Sequence, residues 1–179
     1  MGRAFLLAAP LVAALELLAA SRARAQASEA EIKAAFLPRF ARYVTWPPAA
    51  TPRAGDPYVL CVIGGNPFGA AVDQAARSQS VDGRRIIVRR LDSAAGSDGC
   101  QIAFVQGTRA VPAGQLLAAL GRKPVLTVTD AANGGQRGII HFVTASGRVR
   151  FFIDESEAAR RGLTISSRLL ALAVGVKQR

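Results

Sequence analysis

The residues that most catalytic chemistry needs are scarce in this chain: two cysteines, one histidine and one tryptophan in 179 residues. Cys61 and Cys100 form no C-x-x-C, so a thioredoxin-like redox motif is excluded, and with the lone His141 they do not supply a zinc ligand set. There is no G-x-S-x-G elbow, and His141 lies in an apolar strand-like run where it would serve poorly as a general base. Asp73, Asp92 and Asp130 show no paired-carboxylate spacing. Gly64-Gly65-Asn66-Pro67-Phe68-Gly69 sits where a phosphate cradle would, but it lacks G-x-G-x-x-G and a following Lys-Ser/Thr, and Pro67 removes an amide donor. The expectation is a binding or regulatory module, not an enzyme, with no metal and no cofactor.

What is present begins with a leader. Arg3 precedes an apolar stretch from Phe5 to Ala20, broken only by Glu16, and Ala23-Arg24-Ala25 forms an A-x-A cleavage site. That run is too short for a membrane span of about 20 apolar residues, and no lipobox cysteine follows. Residues 1–25 are therefore read as a signal peptide, and 26–179 as one exported domain in the periplasm. The formal charge of +11 falls to +9 when Arg3, Arg22, Arg24 and Glu16 are removed. The cations, 20 Arg against three Lys, are spread along the chain, and no aromatic platform accompanies them. This argues against nucleic acid and for a basic solvated surface able to attract anionic lipid or an acidic partner.

Along the mature chain, Ser28 and Glu31 form a capping box for a helix carrying Ile32, Ala35, Phe36, Phe40 and Tyr43, which Pro38 should interrupt or kink. A Pro- and Ala-rich connector from Trp46 to Pro57 follows. Tyr58 to Ile63, Arg84 to Arg90, Gln101 to Gln106 and Pro124 to Thr129 read as strands, alternating with helices from Phe68 to Arg77 and Pro112 to Leu120. Such alternation predicts βα crossovers and parallel pairing. Gly138 to Thr144 and Arg148 to Ile153, split only by Ala145-Ser146-Gly147, read as an antiparallel hairpin. Asp154 with Glu157 caps a short helix ending near Gly162, and Ser166 or Ser167 opens a last one carrying Leu169, Leu170, Leu172 and Ala173. The fold class is α/β: a single-domain sandwich with a mixed, largely parallel sheet, a C-terminal β-hairpin and flanking helices.

In an oxidising compartment Cys61, inside the first strand, and Cys100, just before the third, are expected to form one disulfide. Closing a loop of about 40 residues would remove roughly 4 kcal/mol of unfolded-chain entropy. Asn66 and Asp130, in turns at the carboxyl ends of strands, and Phe68 beside Asn66 are candidates for binding a ligand or partner. Trp46 is a second candidate aromatic anchor, and core packing is the favoured reading for both aromatics.

Several stretches in order resemble the YfiR family of periplasmic proteins. They are Lys33-Ala34-Ala35-Phe36-Leu37 with Val44-Thr45-Trp46-Pro47, Cys61-Val62-Ile63-Gly64 with Asn66-Pro67-Phe68-Gly69, and Cys100-Gln101-Ile102-Ala103-Phe104-Val105. Val125 to Asp130, Gly138 to Val143, Val149 to Ile153 and Ala158 to Leu170 continue the match over nearly the whole mature chain. The resemblance implies a small, often dimeric α/β domain that represses an inner-membrane diguanylate cyclase through its periplasmic sensor region. It also implies sequestration by an outer-membrane OmpA-like lipoprotein, and an output in cyclic di-GMP, biofilm and motility. The family's cysteine pair maps onto Cys61 and Cys100. The closely spaced second pair that some members carry downstream is missing here, and Pro38-Arg39 replaces an aromatic-polar pair. A periplasmic small-ligand module feeding a sensor histidine kinase is the alternative reading.

Overall fold

The computed structural model describes residues 28–178, so the leader and its cleavage site lie outside the described residues. Its first helix, α1, covers residues 28–40, with Ser28 already helical. Ala34, Leu37 and Phe40 are buried at helical spacing. Pro38 does not break α1, contrary to the expectation, and a 3-10 turn, Ala41–Tyr43, extends it. Pro38 sits in the final turn, where the lost amide frees only one carbonyl, and burial of Leu37, Phe40 and Ala41 holds the segment down. Phe36 and Phe40 meet Phe142 and Phe151 with centroids 5.5–6.2 Å apart, an aromatic cluster that fastens α1 to the sheet.

The remaining elements follow the expected alternation. They are β1 (Val44–Thr45), β2 (Tyr58–Gly64), α2 (Ala71–Arg77), β3 (Ser80–Val81), β4 (Arg84–Leu91), β5 (Ile102–Gln106), α3 (Ala113–Leu120) and β6 (Leu126–Asp130). Then come β7 (Ile140–Ala145), β8 (Arg148–Asp154), α4 (Glu155–Arg160), β9 (Thr164–Ile165), α5 (Ser167–Leu170) and β10 (Gly175–Lys177). Eight strands form one sheet in the order β10-β8-β7-β6-β5-β2-β4-β3, and β1 pairs separately with β9. Pairing is parallel from β4 through β2, β5 and β6 to β7 and again between β8 and β10, and antiparallel at β7–β8 and β3–β4. The mixed, largely parallel sheet and the hairpin thus stand as expected, whereas β1, β3, β9 and β10 are too short to carry a periodic signal.

Burial on both faces explains the near-continuous apolar runs in the central strands. Tyr58, Leu60 and Val62 of β2, with Ile102 and Phe104 of β5, join the core under α1 and α2. Val59, Cys61 and Ile63, with Ala103 and Val105, face the opposite way and pack against Leu116 and Leu120 of α3.

α4 is capped as its sequence suggests: the Asp154 carboxylate accepts from the Glu157 amide at 2.8 Å, and also meets Ser156 and Lys177. Burial pushes its carboxyl up, but the Ser156 hydroxyl, the Glu157 amide and Lys177 together hold it below the ordinary value. A depressed carboxylate adds stability above its unfolded pKa, and that stability is lost as the pH falls through the folded value. Asp154→Ala is therefore expected to cost about 1 kcal/mol in urea melts at pH 7, and less at pH 3, below the ordinary carboxylate value, where the unfolded chain binds the proton more readily than the folded one. The last helix is shorter than its apolar pattern suggested, because Leu172 falls beyond α5 and is exposed.

Candidate functional site

The disulfide joins Cys61 of β2 to Cys100, two residues before β5, with Cα atoms 5.9 Å apart. β2 and β5 are hydrogen-bonded neighbours, with Cys61 opposite Ala103; Cys100 lies three positions before Ala103, so the turn and bend that lead into β5, together with the pairing of the strands, bring it to Cys61. Both sulfurs are buried in the core beneath α3.

Beside this bond lies a groove of about 580 Å³. One wall is the connector between Trp46 and Pro57, the other is the segment Ser97–Gln101, and Val59, Ile87 and Arg89 form the floor. Gln101 fixes the wall to the sheet. Its side-chain carbonyl accepts from the Val59 amide at 2.8 Å, its amide group donates to the Ala50 carbonyl at 3.0 Å, and its own carbonyl receives the Trp46 indole N–H at 3.2 Å. The connector and β2 therefore meet at one residue, the neighbour of Cys100: its side chain holds Val59 and Ala50, and its main-chain carbonyl holds Trp46. Arg53, Arg89 and Lys123 line the groove with Asp56 and Asp98. Lys123 takes up Asp98 at 2.7 Å, and its hydrogen bond holds that carboxyl below the usual range.

The residues proposed from sequence are placed differently from one another. Asn66 is exposed, and its side-chain carbonyl accepts from the Phe68 amide at 3.2 Å, closing the turn after β2. Phe68 is not a free anchor: it is 5% exposed and packs edge-on against Phe104 at 4.6 Å. Trp46 is likewise buried, against Tyr58. Asp130 is not an open loop carboxylate either. At 6% exposure its Oδ2 pairs with Lys33 Nζ at 2.5 Å, while Oδ1 accepts from the Ala132 amide. Lys33, 4% exposed, also reaches Glu29, whose carboxylate accepts from the Thr144 hydroxyl. Those bonds, from Lys33 first and then Thr144, hold the Glu29 carboxyl below its ordinary value. Asn66 and Asp130 share the carboxyl edge of the sheet, on strands separated by β5.

Lys33 was missed as a partner for Asp130. The residues are 97 positions apart, and a lone lysine on a helix gives no sequence signal for such a contact.

A second, smaller groove of about 430 Å³ lies over β7, β8 and β10 on the side away from α1. His141 forms part of it, with Nδ1 2.8 Å from the Thr129 hydroxyl, and the Arg137 guanidinium lies over Phe152. That hydroxyl also accepts from the Gly138 amide. Burial first, and then the Arg137 charge, pushes the His141 imidazole below its ordinary value, favouring the neutral ring.

Among the described residues no group of three or more metal-ligating side chains converges, and no helix is long and apolar enough to cross a membrane. The family model described as YfiR/HmsC-like matches residues 30–174. A search of curated proteins finds no match.

Proposed function

The chain belongs to the YfiR/HmsC-like family, whose members are periplasmic regulators of cyclic di-GMP signalling and not catalysts, and from that premise we propose a specific role. The protein binds the periplasmic sensor region of an inner-membrane diguanylate cyclase and holds the enzyme inactive. An outer-membrane OmpA-like lipoprotein relieves this by sequestering it, and the protein works as a homodimer.

The family match over residues 30–174 is the observation that carries this reading. The structure adds an export-compatible disulfide and a basic surface with a groove beside it. Repression requires differential binding, since a partner shifts a sensor only by preferring one of its conformations. Turning a sensor from 99% active to 99% inactive takes about 10⁴-fold preference for the inactive form.

The test is a gene deletion with complementation, combined with capture of the cyclase by the tagged protein from solubilised membranes. Deletion should raise cellular cyclic di-GMP several-fold, restored by the exported chain, and the captured membrane protein should carry a diguanylate cyclase domain. Unchanged cyclic di-GMP together with no cyclase captured would overturn the proposal. Capture of a sensor histidine kinase instead would establish the alternative, a small-ligand module, for which the groove at His141 is the supporting observation.

A further inference from the structure

The sheet ends on one side in a strand that is only partly covered. β3 pairs with β4 at Arg84 and Arg85 and no further. From Ile86 to Leu91, β4 is bonded to β2 on its inner side, and among the described residues no backbone group meets a partner on the outer side. In a parallel ladder alternate residues turn N–H and C=O outward, so about half of this stretch offers unpaired donors and acceptors. Register places Arg85, Ile87, Arg89 and Leu91 on the disulfide side of the sheet, opposite the line of Val59, Cys61 and Ile63. Ile87 is 37% exposed, one of few large apolar side chains left so open, and it lies in the groove floor next to Arg89.

The charges on this edge are of one sign. Arg84 is tied to the Pro52 carbonyl and lies over Tyr58, Arg89 reaches the carbonyls of Gly96 and Asp98, and only Arg90 meets a carboxylate, Asp73. Arg85 is exposed and meets no partner among the described residues. The acidic groups nearby are Asp82 in the β3–β4 turn, Asp92 after the strand, Asp56, and Asp98 already held by Lys123.

This geometry points to β4 as a docking edge for an extended acidic segment of a protein partner, added as a ninth strand with its apolar side chains over Ile87. A second copy of the chain is disfavoured by the same charges. Antiparallel self-pairing centred on Ile87 and Val88 would set Arg85 of one copy opposite Arg90 of the other, and like charges directly opposite are repulsive. The inference builds on the reading that the chain acts by holding a protein partner, and its test needs no such partner.

The test uses the chain from residue 26 with its disulfide intact, and a capped octapeptide alternating glutamate with valine or threonine. A lysine-for-glutamate version is the control. The acidic peptide should bind about tenfold more tightly than the lysine peptide at low salt, a preference that shrinks as salt screens it. Binding should slow hydrogen exchange at outward amides within residues 86–91, and Arg85→Glu should abolish the preference without changing the melting temperature. Equal affinity for both peptides, protection confined to other residues, or protection of 86–91 that grows with protein concentration in the absence of peptide would each overturn it. The last result would assign the edge to a second copy. Peptide binding alongside unchanged cyclic di-GMP and no captured cyclase would leave this edge standing and sink the repressor reading alone.

Discussion

Lys33→Met is expected to destabilise the fold by about 3–5 kcal/mol, the cost of leaving a buried charge without its partner. The mutation removes the cation paired with Asp130 while that carboxylate remains enclosed at the end of β6, its Oδ1 engaged by the Ala132 amide. Glu29 also loses its ammonium partner, but it keeps the Thr144 hydroxyl and at a third exposed it can turn to water. The double variant Lys33→Met with Asp130→Asn separates the terms. Asparagine retains the acceptor for Ala132 and is neutral, so most of the loss should be recovered. Urea midpoints with an unchanged slope would measure both. A single-variant cost below about 1 kcal/mol would place the pair among solvated surface bridges and refute this account.

That ion pair also shows where the sequence stops being readable. The β2–α2–β4–β5–α3–β6 succession could be read because each apolar run is bounded by glycine, proline or charge, and because buried parallel strands need no alternation. The hairpin was announced by Ala145-Ser146-Gly147 between two apolar runs, although Ala145 belongs to β7 and the turn itself is Ser146-Gly147. The turn after β2 was legible as a tight one, and Gly64 confirms why: at φ +81° an added Cβ would meet the Gln106 carbonyl, so the backbone of β5 approaches there too closely for any side chain.

What could not be read was every contact that long-range packing decides. Asp130 looked like an available carboxylate because nothing local marks Lys33 as its partner. Phe68 looked like a candidate anchor because a turn aromatic can face either way, and only the position of Phe104 on the neighbouring strand turns it inward. Gln101 reads from the sequence only as the start of a strand. A glutamine at a strand's entrance has no signature, yet it joins the connector, β2 and Trp46. The open edge of β4 belongs to the same class, since the strand was foreseen while its neighbour order was not.

Replacing both cysteines, Cys61→Ala with Cys100→Ala, is expected to cost about 4 kcal/mol from the freed loop of 39 residues. For a domain of this size that is a fall on the order of 10 °C in melting temperature. The bond closes α2, β3 and β4 into one loop, so its loss relaxes the half of the sheet that ends in the uncovered edge. It also untethers position 100 beside Gln101, the residue that fastens the groove wall to β2. Both sulfurs are buried, so reduction of the native protein should be slow until this half opens. A regulatory bond and a structural one then differ in a measurable way. If reduction lowers the melting temperature and weakens the partner in parallel, the disulfide couples envelope redox state to repression through the β4 edge. If the melting temperature falls while partner affinity holds, the bond is structural only. If neither moves, the loop-entropy account fails as well, because a cross-link that constrains the unfolded chain must leave a trace in stability.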